Sequence, residues 1–294
     1  MILVSGATGH LGRATVHHLT RLGAKDKLAV LARDPSKASD YAAQGIDVRQ
    51  GDFDKPAELG RAFAGIDTLF FVSTAAPNRS QQQPAVVDAA KAAGVRNIVY
   101  TGVAMRDVAS AATAKEMIAH IHTEEHIRAS GLGHTLLRNT IYANVIPQFT
   151  GPALLGEGIS LPVGNGKAAF ALRDELGEAA ARVLLNARHT GQTYQLTGPQ
   201  AASFGDIAHA LSDITGRPLP FHDIAPSVLA QQLKAFGIDD YMAGLILGTL
   251  EDVRSGQYDI VTDDLQNLLG RPPLALKPLL DAVIPELSAH EPSN

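Results

Sequence analysis

Gly6, Gly9 and Gly12 follow one another at three-residue spacing in Ser5-Gly6-Ala7-Thr8-Gly9-His10-Leu11-Gly12, directly after the apolar run Met1–Val4. The chemistry this spacing permits is capture of a dinucleotide pyrophosphate on a helix N-terminus. Gly6 allows a tight turn, Gly9 lets the backbone approach the phosphates, and Gly12 lets the next helix pack close to the strand. The backbone at Thr8, His10 and Leu11 then faces the phosphates. A glycine-lined strand-to-helix turn that binds nothing has the same spacing.

The end of the second strand selects the nucleotide. An NAD site carries an acidic residue there, roughly 20 residues past the glycines. Here Leu28–Ala32 runs into Arg33-Asp34-Pro35-Ser36-Lys37. A guanidinium at Arg33 suits a 2′-phosphate bidentately, with Ser36 and Lys37 beside it. Asp34 precedes a proline, which makes it a helix cap rather than a ribose ligand. The expected cofactor is NADP(H). Asp52 and Phe53 follow the third strand, where an adenine would lie. Asp52 could accept from its amino group and Phe53 could stack; a turn aspartate and a core ring are the other reading. Ser73 and Thr74 close the fourth strand and are small enough to leave room for ribose and nicotinamide.

Short-chain dehydrogenases with such a turn usually carry Tyr-x-x-x-Lys, yet none of the six tyrosines has a lysine four residues on. That region instead holds Lys115, His120, His122, Glu125 and His126. His122 and His126 have metal-ligand spacing but no third ligand, so they read as a solvated polar face and no metal is expected. Gly164-Asn165-Gly166-Lys167 lacks the following Ser/Thr of a phosphate loop and reads as a turn. His17-His18 needs no function.

The elements that must position these residues alternate. Apolar runs at Ile2–Val4, Leu28–Ala32, Ile46–Arg49, Thr68–Val72, Asn97–Tyr100 and Thr135–Leu137 are separated by helical patterns near 11–22, 35–43, 56–63, 83–93 and 116–130. This predicts an α/β fold, a Rossmann-like doubly wound parallel sheet. Gly23, Gly45, Gly65, Gly94 and Gly131 fall where helix C-caps belong, and Pro35 and Pro56 at helix starts. Residues 1–139 form the nucleotide-binding domain. Residues 140–294 form a smaller, mainly helical substrate domain, from which 172–198 packs back onto the first. Within it, 147–169 reads as loop with one short strand. Asp174 is expected to cap a helix to Leu185, Thr193–Thr197 to form a strand, and Ser203 to cap a helix to Ile214. Stretches 226–236, 239–254, 263–269 and 276–284 read as helices, and the tail after Leu287 as frayed.

Composition narrows the partners. In 294 residues the hydrophobic share is 45% and the net charge is -5. A core is affordable in size, and no basic field exists for nucleic acid or an anionic membrane. No apolar run reaches the roughly 18 residues of a membrane span, and the chain enters a strand at once, without the basic region of a signal peptide. Cysteine is absent, which excludes thiol chemistry and fits the cytoplasm. The apolar 241–250 helix could be core or interface, which admits a homodimer.

Several segments together closely resemble the NmrA-like atypical short-chain reductases, most of all type 2 NAD(P)H:quinone oxidoreductases and triphenylmethane dye reductases. They are Ser5–Gly12, Val30–Lys37, Ala42–Asp52, Ala89–Gly102, Thr123-Glu124, Thr135–Tyr142 and Asp263–Gly270. The resemblance implies NADPH held between a Rossmann domain and a smaller C-terminal domain, a flat acceptor above the nicotinamide, and neither flavin nor metal. It places His120 near a lysine that assists chemistry in isoflavone-reductase-like proteins. It therefore implies orientation or proton donation by His120, and a nicotinamide and acceptor pocket lined by Asn139 and Tyr142. A helix histidine with a polar partner is the other reading of His120, and Arg138 is read as structural. A quinone accepts hydride readily, so loss of the tyrosine acid fits such a small aromatic substrate, azo and triphenylmethane dyes included. The alternative is an NADP(H)-binding regulator with little turnover.

Overall fold

The computed structural model describes residues 1–151 and 154–284. Pro152 and the tail after Leu287 lie outside the described residues. The first half alternates as its periodicity requires: β1 (Ile2–Val4), α1 (His10–Arg21), β2 (Leu28–Ala32), α2 (Ser39–Ala43), β3 (Asp47–Gln50), α3 (Pro56–Phe63), β4 (Thr68–Phe71), α4 (Arg79–Ala92), β5 (Asn97–Val103), α5 (Ala114–Ala129) and β6 (Gly133–Asn139). There follow α6 (Ile146–Thr150), α7 (Leu154–Glu157), β7 (Ile159–Leu161), β8 (Lys167–Ala168), α8 (Arg173–Leu184), β9 (Thr193–Leu196), β10 (Ala202–Ser203), α9 (Phe204–Thr215), β11 (Phe221–Asp223), α10 (Pro226–Ala235), α11 (Asp240–Arg254), α12 (Asp264–Leu269) and α13 (Leu276–Val283).

Seven strands form one parallel sheet in the order β3-β2-β1-β4-β5-β6-β9. The order reverses between β1 and β4, and the crevice outside the strand carboxyl ends at that point is where such sheets bind ligands. Both faces are covered. Leu19, Phe70, Leu176 and Leu265 pack on one side, and Phe63, Phe71, Tyr100 and Ile127 on the other. This is why β2 is buried at all five positions. A third core, with Phe204, Leu211, Leu250 and Leu280, fills the C-terminal part. Residues of 172–198 return to the sheet, β9 pairing with β6. The outer edge of β9 is capped where Asp264 Oδ2 accepts from the Gln195 N–H at 2.8 Å.

Two expectations change. α8 starts at Arg173, with Leu172 as its cap residue. Asp174 is not the cap; its carboxylate lies 3.1 Å from Nε2 of buried His18 on α1. The reason is close packing of the two helices. A Cβ on Gly177 would stand 2.6 Å from that of Ala14, so His18 is largely closed off from water and takes its partner from α8. In 147–169 the chain forms two short helices and two short strands, delimited by Gly151 and Gly158, both at positive φ. β7 pairs with β11 and β8 with β10, so each strand depends on a distant partner. Ser203 caps α9 as expected, in a reciprocal capping box with Asp206.

Candidate functional site

The glycine turn is built as a cradle. Gly6 sits at φ +61°, and its carbonyl accepts from the Gly9 N–H at 2.9 Å. A Cβ on Gly12 would lie 2.2 Å from that same carbonyl oxygen, so only glycine lets α1 start here. Gly9 is the N-cap and offers no side-chain cap. The first N–H groups of α1, from His10, Leu11 and Gly12, therefore remain open to an anion. Two side chains brace the loop. The Tyr41 hydroxyl donates to Ala7 O at 2.8 Å, and Arg13 Nε donates to Thr8 O at 3.1 Å. Arg13 was not singled out from sequence, although its place one turn into α1 after a phosphate loop was the available signal.

Arg33 and Lys37 are exposed beyond β2. Among the described residues Arg33 forms no ion pair, which leaves its guanidinium free for a phosphate. Asp34 caps the following turn, its Oδ1 accepting from the Ser36 N–H at 3.0 Å and the Ser36 hydroxyl at 2.7 Å. Ser36 is thereby used as a donor. Asp52 makes a local turn, Oδ1 accepting from the Asp54 N–H at 3.1 Å. Phe53 is buried, its ring edge-on to Phe71 at 5.4 Å. Phe71 gives the ring an apolar partner. The Thr74 hydroxyl is committed to Gln82 Oε1 at 2.7 Å, while Ser73 faces a large cavity.

That cavity, about 880 Å³, lies between the carboxyl edge of β4–β6 and helices α10 and α11. Its inner end is polar: Ser73, His120, Asn139, Thr140 and Tyr142. Its outer wall is apolar, with Leu229, Leu233, Phe236 and Ile246, and Glu157 is the one carboxylate on its described lining. Asn139 Oδ1 and Thr140 Oγ1 are buried there without a hydrogen-bond partner among the described residues. Buried polar atoms at the end of a central strand that lack a partner call for one from a ligand. Asn139 Nδ2 reaches the Tyr142 hydroxyl at 3.4 Å, and Arg173 stacks over the Tyr142 ring at 4.9 Å. Burial pushes the Tyr142 hydroxyl pKa upward, so it stays protonated.

His120 has a polar partner and a cavity face at once. Its Nδ1 lies 2.9 Å from the Tyr100 hydroxyl, which contacts Gln83 Oε1 at 2.7 Å. Burial, seconded by the nearby Arg79 cation, pushes the imidazole down to about 3. It is therefore neutral at physiological pH, and an imidazolium that hands over its proton is not the resting form. Arg79 is itself buried and, among the described residues, bonds only carbonyls, those of Thr74 and Glu116. Neither Tyr100, Gln83 nor Arg79 stood out in the sequence: Tyr100 closes an apolar strand run, and Arg79 and Gln83 lie in the polar stretch that opens α4.

Two buried carboxylates hold this end together. Glu124 takes a bidentate bond from Arg138, whose Nε and Nη2 donate at 3.0 and 2.6 Å, which makes Arg138 structural as expected. Asp252 of α11 accepts from the N–H and hydroxyl of Thr113 at the threshold of α5. His126 is paired with Asp88 at 2.8 Å, and no cluster among the described residues could hold a metal. Gly166 approaches Val253 so closely that a Cβ would stand 2.3 Å from its carbonyl, so this stretch is a packing turn. No helix among the described residues is long and apolar enough to cross a membrane.

Known proteins share this architecture. The NmrA-like family matches residues 1–259. Quinone oxidoreductase 2 of Escherichia coli is 34% identical over 281 residues, covering 94% of this chain and 96% of that protein. The NAD(P)H azoreductase of Xenophilus azovorans is 28% identical over 275 residues, 92% and 94% of the two chains. The crystal structure of the E. coli NADPH-dependent quinone oxidoreductase complexed with NADPH superposes with a TM-score of 0.89 at 32% identity, over 96% of this chain and 99% of that one. The Citrobacter sp. triphenylmethane reductase complexed with NADP(H) gives 0.88 at 30% identity, over 96% and 99%. The cradle, the sheet and the helical cap over its edge are thus matched across nearly the full length, and the chain belongs to the NmrA-like family.

Proposed function

We propose that this protein is an NADPH-dependent reductase that transfers hydride to a quinone or a similar conjugated acceptor, azo and triphenylmethane dyes included. The observation that carries the reading is the cavity beside the glycine cradle. Its inner end holds unpartnered polar atoms and a neutral histidine, and its wall is apolar. At about 880 Å³ it takes a nicotinamide and a flat acceptor together.

The chain's own residues divide the work. The open N–H groups of α1 would hold the pyrophosphate. Arg33 and Lys37 would hold the 2′-phosphate. Asn139 Oδ1 and Thr140 Oγ1, both unpartnered among the described residues, would bind the polar edge of the nicotinamide, which would supply the hydride. The apolar wall of α10 and α11 excludes water and keeps the acceptor ring parallel and close. No residue needs to act as a strong acid, because a quinone takes two electrons and one proton as hydride and completes the quinol with a proton from solvent. Glu157 at the rim is placed to favour a cationic dye.

The test is acceptor-stimulated NADPH oxidation. Steady consumption with a simple quinone supports the reading. Tight NADPH binding with no stimulation by any quinone or dye would overturn it in favour of a dinucleotide-sensing regulator, which the absence of Tyr-x-x-x-Lys makes the second reading. We place the protein in the cytoplasm and propose a homodimer; light scattering checks the latter.

A further inference from the structure

Four short contacts around Gln83 determine where the His120 proton sits. The Tyr100 hydroxyl lies 2.7 Å from Gln83 Oε1 and 2.9 Å from His120 Nδ1. The Thr123 hydroxyl lies 2.8 Å from Gln83 Oε1 and 2.6 Å from Ala119 O. Each hydroxyl has one proton to give. With Oε1 facing both hydroxyls, at most three protons serve four contacts, and one oxygen pair is left with none. Gln83 Nε2 is meanwhile buried without an acceptor among the described residues. A half-turn of the amide exchanges its oxygen and nitrogen without changing its shape. The two amide N–H bonds then point at Tyr100 and Thr123. Thr123 donates to Ala119 O, and Tyr100 donates to His120 Nδ1. Every contact now holds one proton, and one unpaired acceptor replaces two unpaired donors.

We infer that Gln83 and Tyr100 are positioning residues that fix His120 as its Nε2–H tautomer, so that the cavity receives a hydrogen-bond donor aimed at the acceptor oxygen. This rests on the reductase reading above. His120 lines the cavity, and with Nδ1 taken by Tyr100 the nitrogen left to face it is Nε2. The charged groups around the pair are Arg79 from α4 and Glu124 from α5. Arg79 opposes a second proton on the ring. Glu124 is neutralised by its bidentate bond to Arg138. The ring thus stays neutral, and a neutral imidazole stabilises an oxyanion by hydrogen bonding rather than by surrendering its proton. When hydride arrives, the acceptor oxygen takes the negative charge and the Nε2–H bond to it strengthens. Water then delivers the proton that completes the quinol.

Nitrogen NMR of the full chain with ring-labelled histidine reads the tautomer without turnover, and His120→Asn identifies the signal. A protonated Nε2 with a bare Nδ1 is expected. A protonated Nδ1 overturns the inference even if quinone reduction is normal. Tyr100→Phe should give a mixture of tautomers and lower kcat for a simple quinone on the order of tenfold, with KM for NADPH unchanged. An unmixed Nε2–H signal and an unchanged kcat in Tyr100→Phe would remove the positioning role. If the wild-type ring is Nε2–H but no acceptor stimulates NADPH oxidation, the reductase reading fails and the donor role falls with it.

Discussion

Gly12→Ala tests whether the glycine turn is a cradle or a mere connection. The added Cβ would lie 2.2 Å from Gly6 O, 2.6 Å from Gly6 C and 2.8 Å from Ala7 Cα. All three are backbone atoms, so no side chain can swing aside. Ordinary carbon–oxygen contact begins near 3.3 Å, so the helix or the loop must give by roughly 1 Å. α1 cannot retreat, because Gly177 of α8 already presses on Ala14 from its far side. The loop must yield, and the 2.9 Å bond from Gly9 to Gly6 goes with it. A displacement near 1 Å at a positioned group weakens its task about a hundredfold. We therefore expect the NADPH Kd to rise about a hundredfold, near 2.7 kcal/mol. Overpacking adds a stability loss of about 1–3 kcal/mol. Two other glycines serve as controls. Gly23 has φ +80° but nothing within 4 Å, so Gly23→Ala should lose about 1 kcal/mol of stability and leave binding alone. Gly60 lies inside α3 with open space around it, so Gly60→Ala should gain about 0.5–1 kcal/mol. Calorimetric titration with NADPH and thermal unfolding without it measure both quantities. Wild-type affinity in Gly12→Ala, or an equal loss in Gly23→Ala, refutes the cradle.

Arg33→Ala should weaken NADPH by tenfold or more while NADH changes little; equal losses for the two cofactors would show that Arg33 does not read the 2′-phosphate. Protonation of His120 should destabilise the fold. Its pKa falls from 6.5 unfolded to about 3 folded, so the unfolded chain binds more protons between those values and stability declines as pH drops through that window. The loss from this group is about 2 kcal/mol at pH 5. Urea midpoints from pH 7 to pH 5 should therefore fall more for wild type than for His120→Asn, and parallel slopes would contradict the buried neutral ring. Glu157→Gln should lower kcat/KM for a cationic triphenylmethane dye up to about fivefold, with a neutral quinone unaffected; equal effects on both would remove the charge from the explanation.

The sheet was legible because its signals are local. Alternating apolar runs, a glycine after each helix and Pro56 at a helix start all act through a few neighbouring residues. Gly23, Gly45, Gly65, Gly94 and Gly131 do adopt positive φ. The cradle was legible for the same reason. The acceptor side was not. β7 and β8 form only because β11 and β10 reach them from more than 30 residues later in the chain, and no short window of sequence contains both partners. Asp174 misled because an acidic residue before a helical run satisfies the cap pattern, while its true partner, His18, is set by how α1 meets α8. The Gln83–Tyr100–His120 chain joins α4, β5 and α5, so it exists only once the sheet has brought those elements together.

Asp252 has no solvent exposure and fastens α11 to the start of α5. The helix that carries His120 and the wall that faces it across the cavity are thereby one body. Substitutions in the α11 wall then shift the position of the histidine as well as the shape of the pocket. α10 has no such fastening to α5 among the described hydrogen bonds, and its Leu229, Leu233 and the following Phe236 reach the same cavity. Divergence in acceptor range, in nature or in a directed library, accordingly has its freest ground in α10, where a new wall can be tried without retuning the chemistry.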